Sequence, residues 1–254
     1  MEKIKIILSG ATGKMGETIG KLVSDLEDME VIRGFADEEI LDGKFPIYTE
    51  LDKGERGDVL IDFSTPKILD EILEYCKNEN TPLVIGTTGY SEGEIQKIHD
   101  ASKSIPIMFT GNMSVGVNVM EYAVEALAAM LEGFDIEIIE KHHKYKVDSP
   151  SGTAKMLFEA ANRGRSNNLQ SLEGRAGHYD FRDEKEVGIS SIRGGNIVGE
   201  HSVIFAGTDE IIEIKHTANS KAIFANGALK AAKFLEGQKP GLYNMNDVLG
   251  MEYE

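Results

Sequence analysis

The run Lys141-His142-His143-Lys144-Tyr145-Lys146 places five residues that can carry positive charge within six positions. Two of them are imidazoles, which titrate near neutral pH at a reference pKa of about 6.5. His142 and His143 are therefore candidates for acid or base work, and Lys146 for holding a carboxylate or donating a proton. Directly after the run, Val147-Asp148-Ser149-Pro150-Ser151-Gly152-Thr153-Ala154 makes a turn and opens a helix expected from about Ala154 to Ala161. A helix start offers free N–H groups and the positive end of a dipole, worth roughly 0.3 to 1 kcal/mol to an anion. Cations beside such a start describe a carboxylate clamp. Adjacent strand residues point to opposite faces, so a strand continuing through both histidines would let only one face a pocket, unless the backbone turns there. No metal site is expected: neighbouring histidines lack the i, i+4 helical spacing, and no cysteine cluster or third ligand accompanies them.

A second constellation lies near the N-terminus. Gly10-Ala11-Thr12-Gly13-Lys14-Met15-Gly16 follows a short β-rich run, Ile4 to Leu8, and precedes a helical pattern through Met15, Ile19, Leu22, Val23 and Leu26. Between strand and helix, this glycine spacing suits a dinucleotide: Gly10 for the tight turn, Gly13 for approach of the pyrophosphate, Gly16 for close packing of helix on sheet. At the end of the next strand Asp37 can accept hydrogen bonds from a ribose diol. Glu38 and Glu39 follow it, and three successive carboxylates repel a 2′-phosphate, so NADH is the expected cofactor and NADPH the alternative. Lys14 and Lys44 are the nearby cations that soften this. Two further strand ends, Ile61-Asp62-Phe63-Ser64-Thr65-Pro66 and Leu83-Val84-Ile85-Gly86-Thr87-Thr88-Gly89, offer hydroxyls and exposed backbone, the latter for a nicotinamide carboxamide.

The elements that must position these residues read as α/β. Val31 to Ala36, Val59 to Phe63, Leu83 to Ile85 and Ile105 to Phe109 are strand-like, with helices after Pro66 and Ser91. That alternation implies a Rossmann-type parallel sheet in a dinucleotide-binding domain. A long apolar helix from Val115 to Leu131 leads to Asp135–Glu140, whose pattern approaches alternation. Runs at Gly188 to Arg193, Glu200 to Ala206 and Glu210 to His216 follow without helices between them. They predict a second, α+β domain with a mixed or antiparallel sheet. Segment 163–186 is polar and reads as an excursion or loop, and a last helix spans about Ser220 to Leu235. The expected division is 1–113 with 221–254 for the dinucleotide, and 114–220 for substrate binding and oligomerisation.

Composition narrows the partners. The 254 residues carry 27 Lys and Arg against 43 Asp and Glu, a formal net charge of -16. Such a surface repels nucleic acid and anionic membranes, so an anionic ligand needs a local basic patch. The single Cys76 excludes an intramolecular disulfide and sits in a helical pattern where a buried thiol is expected. With no apolar stretch approaching 18 residues and no signal-like leader, the expected location is the cytoplasm.

Glu140-Lys141-His142-His143-Lys144-Tyr145-Lys146-Val147-Asp148-Ser149-Pro150-Ser151-Gly152-Thr153-Ala154 resembles the signature of the 4-hydroxy-tetrahydrodipicolinate reductases, long called dihydrodipicolinate reductases. The glycine turn, Asp-Phe-Ser-Thr-Pro, Gly-Thr-Thr-Gly, Asn112-x-Ser114-x-Gly116-Val117-Asn118, Arg193-Gly194-Gly195, Gly199-Glu200-His201 and Phe224-Ala225-Asn226-Gly227-Ala228 resemble the family in order, over nearly the whole chain. The resemblance implies that NAD(P)H reduces a small cyclic dicarboxylate, hydroxy-tetrahydrodipicolinate, to tetrahydrodipicolinate with loss of water, on the route to diaminopimelate and lysine. It implies His142 as proton donor or acceptor, Lys146 as a second donor, and His143, Gly152 and Thr153 as substrate-binding residues. It further implies cofactor contacts along Gly10, Ala11, Thr12, Gly13, Lys14 and Met15 and at Thr110, Gly111, Asn112 and Met113, and a homotetramer built through the sheets of the central domain. Met113 stands where many members have Phe, Lys221 where some have Arg, and Glu38 where NADPH-preferring members place Arg.

Other readings fare worse. Short-chain dehydrogenases and sugar-nucleotide epimerases share a similar glycine turn but need Tyr-x-x-x-Lys, and none of the eight tyrosines has Lys at that spacing. An NADH-sensing binding protein would have no reason to carry the His-His-x-x-Lys run beside an anion-binding helix start, while another two-domain Rossmann reductase stays as the alternative enzyme.

Overall fold

The computed structural model describes residues 2–251. The chain falls into two compact units, Met1–Ser114 with Ala222–Glu254, and Val115–Lys221.

In the first unit, β1 (Ile4–Ser9) leads through the glycine turn to α1 (Lys14–Val23), then β2 (Met29–Phe35), β3 (Ile47–Tyr48) and β4 (Val59–Asp62). A 3-10 turn, Pro66–Ile68, enters α2 (Leu69–Glu79), followed by β5 (Leu83–Ile85), α3 (Glu92–Ser102) and β6 (Pro106–Phe109). The helices form where the sequence supplies an apolar stripe and a start signal. On α1, Gly16, Ile19, Gly20 and Val23 share the buried face at i, i+3, i+4, i+7. Ser91 and Glu94 form a reciprocal capping box at the start of α3.

The second unit contains α4 (Val115–Met130), β7 (Asp135–His142), α5 (Gly152–Gly164), β8 (Gln170–Glu173), β9 (Glu186–Arg193), β10 (Gly199–Ala206) and β11 (Ile211–Ala218). The chain then returns to the first unit with α6 (Ala222–Leu235), β12 (Gly241–Tyr243) and α7 (Met245–Leu249).

The first unit's sheet has seven strands in the order β12-β6-β5-β4-β1-β2-β3, all paired in parallel. The order reverses between β1 and β4, which makes the carboxyl ends of those strands the crevice where such sheets take ligands. Its core joins Ile7, Leu60, Leu83 and Ile107 from the sheet to Ile72, Leu73, Cys76 and Ile98 from the helices. Each fully buried aliphatic of this kind contributes about 1.5–3 kcal/mol. The second sheet is mixed, in the order β11-β10-β7-β9-β8, with β7 antiparallel to β10 and parallel to β9. Ile136, Ile138, Val187, Ile189, Val203 and Phe205 bury one face of it with Val124, Ala128, Ala154 and Leu157 of α4 and α5. Among the described residues no helix is long and apolar enough to cross a membrane.

The α/β reading with a second mixed sheet matches this architecture, and most elements lie within a few residues of their expected limits. The polar segment 163–186 is corrected: α5 runs to Gly164, and Gln170–Glu173 is a strand rather than loop. That strand has no apolar alternation because it is the exposed sheet edge, held by its parallel ladder to β9. The short strands β3 and β12 also escaped the sequence reading, since two or three residues carry no period.

α6 is seated on the first unit through a glycine. A Cβ at Gly227 would lie 1.7 Å from the Met113 carbonyl oxygen, backbone that cannot swing aside. Gly227→Ala should therefore cost at least about 2 kcal/mol, the middle of the range for overpacking. The check is the urea midpoint, and an unchanged midpoint would show that α6 is not so constrained.

Candidate active site

β7 alternates cleanly, with Ile136, Ile138, Glu140 and His142 buried on one face. The first two belong to the apolar core. The last two bring a carboxylate and an imidazole to the strand's carboxyl end. Across the ladder, Ser191 and His201 stand opposite Glu140, His216 opposite His201, and Arg193 opposite His142. Residues opposite each other share a face, so Ser191, Glu140, His201 and His216 form a polar row across the sheet.

Glu140 has no exposed surface. Arg193 donates to both of its oxygens at 2.7 Å, the Ser151 N–H donates at 3.2 Å, and His142 Nδ1 lies 2.6 Å away. Burial by itself would raise the Glu140 pKa, but hydrogen bonds from Arg193, His142 and Ser191 outweigh it and hold the carboxyl at about 2. An ionised carboxylate only accepts, so the proton between the two residues sits on Nδ1. Nε2 of His142 is left to accept a proton or, once protonated, to give one. Burial lowers the His142 pKa, Glu140 opposes that, and the charges of Lys146 and Arg193 add to the lowering.

His201 closes the site from β10. Its ring meets that of His142 edge-on, with centroids 5.1 Å apart, and its Nε2 lies 3.0 Å from the Ser151 hydroxyl. Burial, followed by the neighbouring charge of His142, pushes His201 down to about 4, so it is neutral at pH 7. Ser151 is also the N-cap of α5, its hydroxyl accepting from the Ala154 N–H. Through Ser151 the start of α5 is tied to Glu140 and His201. A Cβ on Gly152 would meet only open space, so the first residue of the helix presents its backbone freely.

The expected residues lie along the end of β7, the turn that follows it and the start of α5. His142 is the last residue of β7, and the chain turns after it, with Gly194 N–H donating to the His142 carbonyl and Lys146 N–H to the His143 carbonyl. His143 lies beyond the strand, its ring against Tyr145 and its Nδ1 buried without a partner. Lys146 forms an ion pair with Asp148 at 2.8 Å. Thr153 occupies the first turn of α5. Glu140, Arg193, Ser151 and His201 received no role from the sequence. For Glu140 a signal existed: it stands two residues before His142, the spacing that puts both side chains on one face of a strand. Arg193 and His201, which arrive from other strands, stand inside motifs that resemble the family, but nothing in their spacing ties them to Glu140. Among the described residues no group of three His, Cys, Asp or Glu is placed to share a metal ion.

The glycine turn of the first unit is built as a cradle. Gly10 has φ +75°, and its N–H and that of Ala11 both donate to the Phe35 carbonyl at the end of β2. Asp37 follows two residues later, exposed beside the turn. A Cβ at Gly16 would lie 2.3 Å from the Gly10 carbonyl oxygen, so only glycine lets α1 start this close to the sheet. Gly13 caps α1 with no side chain, and Thr12, Gly13 and Lys14 are exposed there while Met15 is half-buried. An uncapped helix start over a glycine turn fits a pyrophosphate, and an acidic side chain beside it fits a ribose. Gly86 packs on the Phe63 ring, Thr87 is buried with its hydroxyl bonded to Asp62, and Thr88 is exposed. After β6, Thr110 and Asn112 hydrogen-bond each other around the exposed Gly111, and Met113 is buried.

Removing the Glu140 charge tests the coupling. Glu140 raises the His142 pKa, so in Glu140→Gln the imidazole should titrate at lower pH than in wild type, as followed by NMR; an unmoved titration would separate the two groups. The depressed Glu140 pKa also contributes stability that is present above the unfolded carboxyl value, about 4.3, and is lost as pH falls toward about 2. Arg193→Ala, which leaves that carboxylate short of its main donor, should cost roughly 3 kcal/mol in urea unfolding at pH 7.

Family models describe the same two halves. "Dihydrodipicolinate reductase, N-terminus" matches residues 4–113, and "Dihydrodipicolinate reductase, C-terminus" matches residues 116–249. The 4-hydroxy-tetrahydrodipicolinate reductase of Caldanaerobacter subterraneus subsp. tengcongensis is 46% identical, covering 97% of this chain and 98% of the relative. That of Brachyspira hyodysenteriae is 47% identical, covering 97% and 100%. In structure, the chain is similar to the dipicolinate-bound dihydrodipicolinate reductase from Paenisporosarcina sp. TG-14, with TM-score 0.81 at 22% identity over 96% of this chain and 98% of that one. It also shares its fold, at TM-score 0.56 and 14% identity, with the diaminopimelate (DAP) dehydrogenase of C. glutamicum, which covers 96% of this chain and 93% of that one. With both halves of one pattern matched in order and such identity along nearly the full length, the chain belongs to the dihydrodipicolinate reductase family.

Proposed function

We propose that this chain is a nicotinamide-dependent reductase that converts 4-hydroxy-tetrahydrodipicolinate, with loss of water, to tetrahydrodipicolinate, using His142 as its proton donor. The observation that carries the assignment of His142 is the ionised, buried Glu140 on its Nδ1, which fixes the tautomer and leaves Nε2 for proton transfer. The dinucleotide, when bound, supplies the hydride. Reduction leaves negative charge on the ring, and a protonated Nε2 neutralises it. Lys146 is the second donor and a cation for a substrate carboxylate. His143, Gly152 and Thr153 hold the dicarboxylate, helped by the dipole at the start of α5.

In this reading the first unit binds the dinucleotide, through Gly10 to Met15, Asp37, Gly86 to Thr88 and Thr110 to Met113. Asp37, Glu38 and Glu39 are all exposed beside the glycine turn, which supports NADH over NADPH. The second unit binds substrate and assembles a homotetramer. Ile192 and Ile211, 45% and 69% exposed, put apolar surface on its sheet, in keeping with a partner there. The lone, buried Cys76 suits a cytoplasmic enzyme.

Coupling the chain to freshly made hydroxy-tetrahydrodipicolinate and following NADH absorbance tests the assignment. His142→Gln should lose about 10²- to 10⁴-fold in kcat while still binding NADH, and Lys146→Ala should also raise KM for the dicarboxylate. Turnover unchanged in both variants would refute these roles. The acid must be protonated in the free enzyme, and His142 lies below its ordinary value, so kcat/KM should fall as pH rises through neutrality. Kinetic preference for NADPH over NADH would remove the cofactor assignment.

A further inference from the structure

A second buried carboxylate plays no part in the chemistry above. Asp62, the last residue of β4, is 1% exposed. Among the described residues no Lys or Arg side chain pairs with it. Its donors are three hydroxyls from three places: Ser9 at the end of β1, 2.7 Å from Oδ1; Ser64 on the same oxygen; and Thr87 just past β5, 2.5 Å from Oδ2. Leaving a carboxylate in such a place is costly unless donors replace water, and here the three hydroxyls do so with help from the Ser64 backbone. Burial pushes the Asp62 carboxyl up from its ordinary range and the three hydroxyls pull it back. The half-buried Tyr90 phenol also reaches Thr87.

The network controls backbone as well as side chains. The Thr87 hydroxyl gives its proton to Asp62 and takes the Ser64 N–H at 2.8 Å. Between Asp62 and Ser64, Phe63 is wedged by two glycines: a Cβ at Gly10 would be 2.4 Å from its carbonyl oxygen, and one at Gly86 would be 2.3 Å from its ring. The ends of β1, β4 and β5, which border the crevice at the reversal of strand order, are thus held as one block with Asp62 at its centre.

We propose that Asp62 is a positioning residue for dinucleotide binding: it holds the Thr87 hydroxyl in the orientation whose oxygen accepts from Ser64, and so sets the backbone at the ends of β4 and β5. This rests on the reading that the first unit binds the dinucleotide. The relay from Ser64 through Thr87 to Asp62 makes the roles unequal. An amide at position 62 leaves at least one hydroxyl without an acceptor there, and a valine at 87 removes the bridge from the Ser64 N–H to Asp62. Loss of Ser9 removes a donor but leaves the relay whole.

The test measures NADH affinity by fluorescence, together with KM for NADH and for the dicarboxylate, in Asp62→Asn, Thr87→Val and Ser9→Ala. The first two should weaken NADH binding about tenfold or more, as expected for a buried polar group left unpaired, and Asp62→Asn should raise KM for NADH while kcat at saturating NADH and KM for the dicarboxylate stay near wild type. Ser9→Ala should stay within about threefold, the scale of one ordinary hydrogen bond. If Asp62→Asn and Thr87→Val bind NADH like wild type, or Ser9→Ala is as weak as they are, Asp62 is not a positioning residue. Should Asp62→Asn fail to fold, Asp62→Ser, which is smaller and likewise releases the Thr87 hydroxyl, decides by the same criterion. A wild-type chain that binds no dinucleotide would overturn the functional reading as well, and this differs from wild-type binding with indifferent variants.

Discussion

Desolvating a carboxylate completely costs several kcal/mol unless donors take the place of water, and the second unit is arranged around meeting that demand at Glu140. The guanidinium of Arg193 comes from β9, an N–H from the start of α5, and an imidazole N–H from the same strand. Each donor arrives on a different piece of backbone. The carboxylate therefore fixes the pairing of β7 with β9, the approach of α5 and the tautomer of His142 together. Ser151 holds the start of α5 still by capping the helix while contacting both Glu140 and His201.

The first unit answers a different constraint, the close approach of backbone to backbone. Where β1 meets α1 there is no room for a Cβ at Gly10 or Gly16, and the N-terminus of α1 is left without a side-chain cap. Such a start is unfavourable by itself, because its N–H groups lack partners, and becomes favourable when an anion arrives. Both units thus present a helix start, one with glycine and no cation in the turn beyond Lys14, the other beside a cluster of cations.

The charge distribution gives that second arrangement its meaning. A chain of net charge -16 repels a dicarboxylate over most of its surface, so the local field at 141–146 has to be supplied by specific side chains. Several of those charges are already matched: Lys141 pairs with Glu200, Lys146 with Asp148, and Arg193 with Glu140. Matching keeps the cations in place at little cost until a ligand competes for them. His201 stays neutral in their midst because burial and its charged neighbours make a second cation there unfavourable.

The residue pattern alone carries the α/β class, the glycine turn, the cationic run and the helix that follows it. Those are local patterns, in which strand alternation, helical period and turn residues act within a few positions of each other. It also contained, unread, the two-residue spacing of Glu140 and His142. Folding was needed to bring Arg193, distant in sequence, to the buried carboxylate, to set His201 across the ladder, and to gather hydroxyls from three strand ends around Asp62. It likewise decided that the polar segment at 170–173 becomes an edge strand, since there the partner strand, and not an apolar pattern, provides the hydrogen bonds. Side-chain type and period are carried by the chain itself. The partner of a buried charge is set by strand register, and register exists only once the sheet has formed.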